Sequence, residues 1–255
     1  MKISVCIATY NGEKFIKDQL DSILCQLSAN DEVIISDDQS TDKTLDIILS
    51  YDDSRIKLFE NKPAQSLTNR PSIYRVTNNF ENTLQKASGD IIFLSDQDDV
   101  WEKTKVQEIL KIFQIQKANL VVHDAILVDD RNQTIADSYF KILRSRTGLI
   151  KNIAGNTYLG CCMVFDRTVL QKSLPFPKNL IAHDMWLGLI GEKFGKVVFS
   201  DEKLVFYKRH ESTVTTSGNK SKNSLFFKLE YRVQFLIQYL LRILSIKLSK
   251  SLILL

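Results

Sequence analysis

Three carboxylates within four positions form the densest group of reactive side chains in the sequence. Asp96, Asp98 and Asp99 directly follow the apolar run 90–94. Carboxylates packed this closely repel one another unless a cation or hydrogen bonds compensate. Oxygen ligands of this kind suit Mg²⁺ or Mn²⁺, which usually combine one or two carboxylates with substrate phosphates. A solvated acidic turn that caps the next helix is the alternative, but the preceding buried strand and the following Trp101 favour a functional site.

Two further polar runs also follow apolar segments. Residues 9–11, Thr-Tyr-Asn, come after the run 3–8, and residues 37–42, Asp-Asp-Gln-Ser-Thr-Asp, come after the run 32–36. An Asp or Ser in the second of these runs could simply cap the next helix, which needs acceptors for its free N–H groups. Capping accounts for one of these residues but not for six in succession, so a binding role and a capping role both stay open.

Asp184 and His210 are isolated candidates in the second half of the chain. Asp184 stands at the predicted N-terminus of a helix that extends to about residue 194, where the helix dipole stabilises a carboxylate. A hydrogen-bonded Asp can alternatively act there as a general base, since it stays ionised and accepts a proton. His210 follows an apolar strand and lies beside Arg209, which suits a metal ligand, a phosphate contact or an ordinary surface residue.

Strands and helices must alternate to position these side chains. Apolar runs predict strands at 3–8, 32–36, 56–59 and 90–94, separated by segments with helical spacing at about 13–26, 41–49 and 76–87. This order predicts an α/β fold with a mostly parallel central sheet and helices on both of its faces. Ligands bind at the carboxyl edge of such sheets, so we expect all three polar runs to line one crevice.

The C-terminal part of the chain differs in charge from the rest. Residues 218–255 contain seven Lys or Arg and one Glu, although the whole chain carries a formal net charge of only +4. No linker, repeat or low-complexity segment divides the preceding part. We therefore expect one domain over residues 1–215, followed by a basic helical tail over residues 216–255.

The tail has the spacing of an amphipathic helix from residue 225 onward. Its apolar side is predicted to consist of Phe226, Leu229, Val233, Ile237, Leu240, Leu244 and Leu248. The opposite side is predicted to hold Lys228, Arg232, Arg242 and Lys250, with Phe235 and Ile246 among them. Such a helix packs on its own domain, joins a second copy in a homo-oligomer, or lies on an anionic membrane surface.

Several classes of protein are excluded by what the sequence lacks. The near-neutral net charge of +4 does not favour a nucleic-acid partner. Glycine motifs for dinucleotides or P-loops are absent, as are HExxH and GxSxG segments. Four cysteines without CxxC spacing indicate neither a zinc site nor a disulfide framework. Because no apolar run is long enough for a signal peptide or a membrane span, we expect a cytoplasmic protein.

These motifs together resemble family 2 glycosyltransferases of the GT-A fold. The resemblance rests on residues 3–12 (ISVCIATYNG), 35–42 (ISDDQSTD) and 96–101 (DQDDVW), in that order. It is dense over residues 1–105 and continues to about residue 212. The form SDQDDVW, with the later segments HDMWL and YKRH, is most similar to bacterial rhamnosyltransferases and related enzymes of surface-polysaccharide assembly. The family resemblance implies a Rossmann-like GT-A sheet with helices on both faces.

The resemblance also implies where a nucleotide-sugar donor binds. Asp37 or Asp38 is implied to accept a hydrogen bond from the N3–H group of uracil or thymine, and Asp96 is implied to contact the ribose. The loop after the first strand is implied to line the nucleotide pocket, through Thr9, Tyr10, Asn11 and, nearby, Glu13.

A metal-dependent reaction is implied by the same family motifs. Asp98 is the implied ligand of Mn²⁺ or Mg²⁺, and His210 matches a position that meets the metal or the diphosphate. Asp184 matches the catalytic base of the family. Asp99 follows the metal motif toward the donor sugar. Arg75 stands where the family usually has a glycine, in a longer segment than usual, and is a candidate contact of the diphosphate.

The implied activity is an inverting transfer from dTDP-rhamnose or a UDP-sugar to a hydroxyl of a growing surface polysaccharide or a lipid-linked glycan. This reaction needs a base for the acceptor hydroxyl and a cation for the departing diphosphate. A lipid-linked acceptor would place the enzyme at the inner face of the cell membrane. Two alternatives stay open: a haloacid-dehalogenase-type phosphatase with Asp96 as nucleophile and Asp98 as acid/base, and a catalytically silent partner of another transferase.

Overall fold

Strands and helices alternate in the computed structural model, which describes residues 1–62, 70–210 and 225–253. Within these ranges the strands are β1 (Ile3–Thr9), β2 (Glu32–Asp37), β3 (Ile56–Glu60), β4 (Ile91–Asp96), β5 (Val100–Trp101), β6 (Leu120–Val128), β7 (Thr134–Ala136), β8 (Met163–Asp166) and β9 (Val197–Lys208). The helices are α1 (Ile16–Leu24), α2 (Thr44–Leu49), α3 (Ser72–Lys86), α4 (Lys105–Gln116), α5 (Tyr139–Leu143), α6 (Leu149–Ala154), α7 (Arg167–Ser173), α8 (His183–Phe194) and α9 (Leu225–Ile253).

The described strands form one sheet in the order β3-β2-β1-β4-β8-β6-β9-β5, with β7 paired to β6. Strands β1 to β4, β6 and β9 run in the same direction, while β5, β7 and β8 are antiparallel to their neighbours. Thr9 of β1 pairs with Asp37 of β2, and Ala8 pairs with Asp96 of β4. The carboxyl ends of these three strands therefore lie level at one edge, and the predicted mostly parallel α/β sheet is confirmed.

The central strands are apolar at consecutive positions because both faces of the sheet are covered. Val5, Cys6 and Ile7 of β1 are all fully buried, which requires packing above and below the strand. On α1, Ile16 and Leu20 lie one turn apart and are likewise fully buried. This packing gives the strand ends a rigid support on which loops can hold ligands.

Glu32 ties neighbouring segments together at the start of β2. Its carboxylate accepts hydrogen bonds from Ser4 Oγ at 2.6 Å, from Lys57 Nζ at 2.6 Å and from the N–H of Ser88 at 2.7 Å. Lys2 Nζ adds a further contact at 3.0 Å. Burial alone would raise the pKa of Glu32, but these bonds outweigh burial and hold that pKa well below its ordinary value.

We expect Glu32→Gln to lower the free energy of unfolding by about 2 kcal/mol at neutral pH, because an amide cannot satisfy the converging donors. A carboxyl group whose pKa is depressed by folding stabilises the native state above its unfolded pKa, and that contribution is lost as the pH falls toward its folded pKa. The difference between wild type and variant should therefore be complete above about pH 5 and shrink below it. Urea unfolding of both proteins at neutral pH and at about pH 3 measures this, and a constant difference contradicts the ionic origin.

The predicted C-terminal helix is present as α9, and it packs through the side that was expected to be basic. Phe235 and Tyr239 are buried, and the Phe235 ring lies 5.9 Å from the Trp186 ring of α8 between centroids. The side predicted to be apolar is exposed where its side chains are described, as at Leu240 and Leu244, whereas the side chains of Phe226, Lys228 and Lys250 lie outside the described part. No described helix combines the length and the continuous apolarity that crossing a bilayer requires. The predicted boundary after residue 215 lies outside the described residues and stays a prediction.

Candidate active site

A cleft of about 750 Å³ opens at the carboxyl edge of the sheet. This volume is typical of small-molecule sites, in which a few polar groups converge within apolar walls. Among its lining residues are nine that the sequence predicts for the site: Thr9, Tyr10, Asn11, Asp38, Arg75, Asp96, Asp98, Asp184 and His210. Three further predicted residues, Glu13, Asp37 and Asp99, lie outside its lining.

Asp37 supports the loop after β2. It accepts hydrogen bonds from Thr9 Oγ1 at 2.8 Å, from Ser40 Oγ at 2.6 Å and from the N–H of Ser40 at 2.7 Å. The next helix begins only at Thr44, and its N-cap residue, Lys43, makes no side-chain cap bond. Asp37 therefore joins the end of β1 to this loop, and neither Asp37 nor Ser40 caps α2.

Asn11 and Glu13 fasten the loop after β1 to the segment before α2. Asn11 has a positive φ of 48°, a conformation that asparagine tolerates better than most residues. Its Oδ1 accepts a hydrogen bond from the N–H of Thr41 at 2.8 Å. Glu13 Oε2 accepts a bond from the N–H of Lys43 at 3.0 Å. Both side chains hold two loops in fixed relation, and Glu13 does so from beside the cleft.

Asp38 lines the cleft in contact with Arg75. Arg75 Nη2 lies 2.6 Å from Asp38 Oδ2, and Asn61 Nδ2 donates to Asp38 Oδ1 at 2.9 Å. The Arg75 guanidinium also lies 5.0 Å from the centroid of the Tyr10 ring. Burial raises the pKa of Asp38, although the bond from Asn61 and the charge of Arg75 oppose that rise. Arg75 is therefore held by Asp38 and the Tyr10 ring, and it forms part of the pocket wall beside Asp38.

Gln97 is a lining residue that the sequence did not single out. Its Oε1 accepts a hydrogen bond from the N–H of Tyr10 at 2.9 Å, and its Nε2 donates to the Tyr10 carbonyl at 3.0 Å. A Cβ atom on Gly12 would overlap this amide, so glycine keeps the space open. The paired bonds join the loop after β4 to the loop after β1. The only sequence feature that could have indicated this role is that Gln97 is a neutral residue between the carboxylates of Asp96 and Asp98.

Asp98 and His210 meet in the cleft. Asp98 Oδ2 lies 2.7 Å from His210 Nε2, and the His210 ring stacks on Phe15 with 4.5 Å between centroids. The N–H of Lys208, at the end of β9, donates to Asp99 Oδ1 at 3.0 Å. This bond fixes the end of β9 beside the acidic segment, so that His210 reaches Asp98 across 112 residues of sequence.

The carboxylates after β4 destabilise one another in this buried setting. Burial, followed by the charges of Asp99 and Asp98, raises the pKa of Asp96 well above its ordinary value. Burial and the charge of Asp98 raise the pKa of Asp99 to about 7. Lys105 is buried nearby, with Nζ 2.9 Å from the Cys161 carbonyl oxygen, and burial lowers the pKa of Lys105 to about 8. A partly compensated cluster of this kind favours a bound cation.

Among the described residues, one group of three possible ligands converges closely enough to hold a metal ion. Asp96, Asp99 and Cys161 bring ligand atoms within 4.8 Å of one another. Burial raises the pKa of the Cys161 thiol well above its ordinary value, and a protonated thiol is a poor ligand. Asp98 and His210 instead face the cleft, together with Asp96. Because carboxylate oxygens suit Mg²⁺ and Mn²⁺ and a thiol does not, the chemistry of these cleft-facing groups fits those ions better than the group with the thiol, with the remaining ligands left to substrate and water.

Asp184 lies in the first turn of α8. It lines the same cleft as Asp98 and His210, although it is distant from Asp98 in the sequence. Its Oδ2 accepts a hydrogen bond from Asn156 Nδ2 at 2.9 Å, and its Oδ1 accepts one from the N–H of Met185 at 2.7 Å. These bonds fix the carboxylate in one orientation. Nothing in the local sequence around Asn156 marks it as the partner of Asp184, and only the fold reveals it.

His183 precedes Asp184 and also lines the cleft. Its ring stacks on Phe80 with 4.4 Å between centroids. Burial lowers the pKa of His183, so the imidazole is neutral at physiological pH. Neither ring nitrogen has a hydrogen-bond partner among the described residues. The side chain can therefore donate one bond to a ligand and accept another.

Two curated relatives match most of the chain. It is 29% identical over 191 residues to the UDP-Glc:alpha-D-GlcNAc-diphosphoundecaprenol beta-1,3-glucosyltransferase WfgD of Escherichia coli, over 74% of this chain and 69% of WfgD. It is 26% identical over 246 residues to the dTDP-rhamnosyl transferase RfbG of Shigella flexneri, over 89% of this chain and 77% of RfbG. Both similarities extend well beyond the three polar runs.

A solved structure and a family model complete the comparison. S. aureus TarS 1-349, in complex with UDP-GlcNAc, matches with a TM-score of 0.66 and 21% identity over 91% of this chain, which spans 65% of that TarS chain. This likeness shows a shared fold and confirms the predicted GT-A architecture. Residues 4–174 match the model of Glycosyl transferase family 2. The chain therefore belongs to glycosyl transferase family 2 and is a glycosyltransferase.

Proposed function

We propose that this protein is an inverting, metal-dependent glycosyltransferase that acts in polysaccharide biosynthesis. It moves a sugar from a nucleotide diphosphate donor to a hydroxyl group of a surface polysaccharide or a lipid-linked glycan, at the cytoplasmic face of the membrane. The observation that carries the proposal is one cleft that holds Asp98 with His210 and, separately, the oriented carboxylate of Asp184. These are the two kinds of group that such a transfer needs.

The donor is a pyrimidine nucleotide sugar in this proposal. Asp38 accepts a hydrogen bond from the N3–H of uracil or thymine, and Thr9, Tyr10 and Asn11 line the same pocket. WfgD is named for a UDP-glucose donor and RfbG for a dTDP-linked rhamnose. A UDP-sugar and dTDP-rhamnose are therefore the two donors to test first.

Asp96, Asp98 and His210 would hold Mn²⁺ or Mg²⁺ at the diphosphate. When bound, such an ion neutralises the charge that develops on the departing nucleoside diphosphate. Asp96 contacts the ribose as well, in keeping with its place at the end of β4. Asp99 acts through the bond that it accepts from the N–H of Lys208, which holds the end of β9 beside the acidic segment.

Asp184 is the general base of the proposed reaction. Its carboxylate accepts the proton of the acceptor hydroxyl while that oxygen forms a bond to the anomeric carbon. The bond from the anomeric carbon to the diphosphate oxygen breaks at the same time, and the nucleoside diphosphate leaves with the electron pair. Attack from the face opposite the leaving group inverts the anomeric configuration. The hydrogen bonds from Asn156 and from the N–H of Met185 hold the carboxylate in one orientation during this step.

A thermal-shift panel tests the proposed donor class. UDP, dTDP and GDP are each added with Mn²⁺, with Mg²⁺ or with a chelator. A pyrimidine diphosphate at about 100 times its Kd adds about 2.7 kcal/mol of stability, which raises Tm by roughly 5 to 10 °C for a domain of this size. We expect this shift only with UDP or dTDP and a divalent ion.

Two activity assays, read together with the thermal-shift panel, separate the remaining alternatives. The comparisons give no support to a haloacid-dehalogenase-type phosphatase or to a catalytically silent partner. Hydrolysis of p-nitrophenyl phosphate without any nucleotide-dependent shift would nevertheless restore Asp96 as a phosphatase nucleophile. A nucleotide shift without sugar transfer to any glycan acceptor would instead favour the silent partner.

A further inference from the structure

The inner side of α9 packs on the rest of the protein. Phe235 contacts Trp186, and Arg242 Nη1 donates to the carbonyl oxygen of Leu174 at 2.8 Å. Arg232 donates a second such bond, to the carbonyl oxygen of Ala154. Both arginines that were expected to meet a membrane are therefore bonded to protein carbonyl groups.

Although the exposed Glu230 and Lys247 fall within its arc near the two ends, the opposite side of α9 is otherwise apolar, and we name its apolar side chains the outer face. It consists of Leu229, Val233, Leu236, Ile237, Leu240, Leu241, Leu244 and Leu248, and each of these side chains is between 37% and 64% exposed. At about 100° per residue they fall within an arc of about 140°. Monomeric proteins rarely expose so many large apolar residues side by side, so this surface indicates a partner.

The spacing along the outer face favours a flat partner over a second helix. A two-stranded coiled coil needs a narrow seam that repeats every 3.5 residues. The outer face is wider, because the adjacent pairs Leu236 with Ile237 and Leu240 with Leu241 both belong to it. Within it Val233, Ile237, Leu240 and Leu244 do have the 4-3-4 spacing of such a seam, but the next positions of the same repeat are the charged residues Glu230 and Lys247.

The charge of the tail adds a second argument. Apart from the two arginines that are bonded to the protein, residues 218–255 contain five lysines and a single acidic residue, Glu230. An apolar helix face on a segment of this charge suits a surface that is apolar beneath an anionic layer. A lipid bilayer with anionic headgroups has both properties.

The position of α9 relative to the cleft relates the outer face to the candidate active site. Tyr231 and Gln238 of α9 line a groove with the segment 179–181. Ile181 of that segment also lines the cleft, two residues before His183. The helix therefore lies beside the end of the cleft that contains Asp184.

We propose that the outer face of α9 lies on a bilayer that contains anionic phospholipids and holds the Asp184 end of the cleft close to the lipid surface. The binding is peripheral: the apolar side chains enter the headgroup region, while Phe235 and Tyr239 keep the helix on the protein. This binding does not depend on the proposed reaction and is measured without any sugar donor.

Flotation of the full chain with vesicles tests the proposal. We expect binding to vesicles of phosphatidylglycerol mixed with phosphatidylcholine, and weaker binding to pure phosphatidylcholine. The double variant Leu240→Glu/Leu244→Glu should lose at least about tenfold in vesicle affinity. The matched control, Leu49→Glu/Ile115→Glu, alters two exposed residues on α2 and α4, changes the net charge equally and should bind like wild type.

Other outcomes overturn the proposal. Equal losses in both double variants would mean that net charge, not the outer face, decides vesicle binding. A dimer in solution that Leu240→Glu/Leu244→Glu dissociates, with no vesicle binding by wild type, would identify a second copy as the partner. A nucleotide-dependent thermal shift that stays intact in Leu240→Glu/Leu244→Glu shows that the variant is folded, so failure of lipid binding is distinct from failure of the proposed function.

Discussion

Asp98→Asn should abolish the metal-dependent part of nucleotide binding while leaving the protein folded. An amide keeps one oxygen toward His210 but has no negative charge with which to attract a divalent cation. We expect the affinity for Mn²⁺ in the presence of UDP or dTDP to fall by about 100-fold or more, since even residues that only orient metal ligands cost 10- to 100-fold when changed. Titration of Mn²⁺ into the protein with nucleotide, followed by thermal shift, measures this loss.

The metal-free protein provides an internal check on the same variant. The charge of Asp98 contributes to raising the pKa values of Asp96 and Asp99, which means that it opposes their ionisation. Removing that charge relieves repulsion, so the variant without metal should have a Tm at least equal to that of wild type. Asp130→Asn, the same chemical change at an exposed loop position, serves as the control. Wild-type Mn²⁺ dependence in Asp98→Asn would remove Asp98 from the metal site.

The second large effect is expected for Asp184→Asn, which should stop sugar transfer without weakening donor binding. The amide oxygen can still accept the hydrogen bond from Asn156, but the group cannot take up the proton of an acceptor hydroxyl. A positioned general base accelerates such reactions by roughly 10²- to 10⁴-fold, and we expect kcat to fall by that factor. Product formation with the donor identified by the thermal-shift panel provides the measurement.

Two readouts separate a catalytic from a structural role of Asp184. The nucleotide-dependent thermal shift and the KM for the donor should stay at their wild-type values, because the nucleotide-binding residues lie on other loops of the cleft. Asp130→Asn again controls for the loss of one charge. Unchanged turnover would exclude Asp184 as the base, and loss of the nucleotide shift would assign it to the structure of the pocket.

The position of the polar runs can be predicted from the sequence because each run marks the end of a strand, and parallel pairing aligns the ends of neighbouring strands. An apolar run that ends in carboxylates indicates a buried strand and its carboxyl end, and parallel pairing then brings several such ends together. Thr9 opposite Asp37 and Ala8 opposite Asp96 are the observed result. Each of these inferences needs only a few neighbouring residues.

Contacts between distant segments could not be predicted in this way. The bond from Asn156 to Asp184 spans 28 residues, and the ion pair of Arg75 with Asp38 joins residues 37 positions apart. Lys105 shows the same limit, since no local pattern distinguishes it from the other lysines, and the fold buries it completely. Such side chains gain their roles from partners that no local pattern specifies.

The packing of α9 illustrates how tertiary contacts override an amphipathic pattern. The helical wheel separates apolar from basic residues, and burial of the apolar side would be the simple expectation. Instead Phe235 and Tyr239 are buried on the other side, where aromatic packing and arginine bonds to carbonyl oxygens compensate for the smaller number of apolar residues. The helix thus keeps its more apolar side for another surface.

Ile181 lines both the groove beside α9 and the cleft, so a membrane-bound α9 would bring the cleft close to the bilayer. This closeness has a kinetic consequence. An enzyme held at a bilayer by the outer face of α9 receives its nucleotide sugar from bulk water, but meets a lipid-linked acceptor by diffusion in two dimensions. Its turnover would then follow the mole fraction of the acceptor in the membrane and not the acceptor concentration per volume. Added inert phospholipid would slow transfer by surface dilution, whereas a water-soluble acceptor analogue would be unaffected.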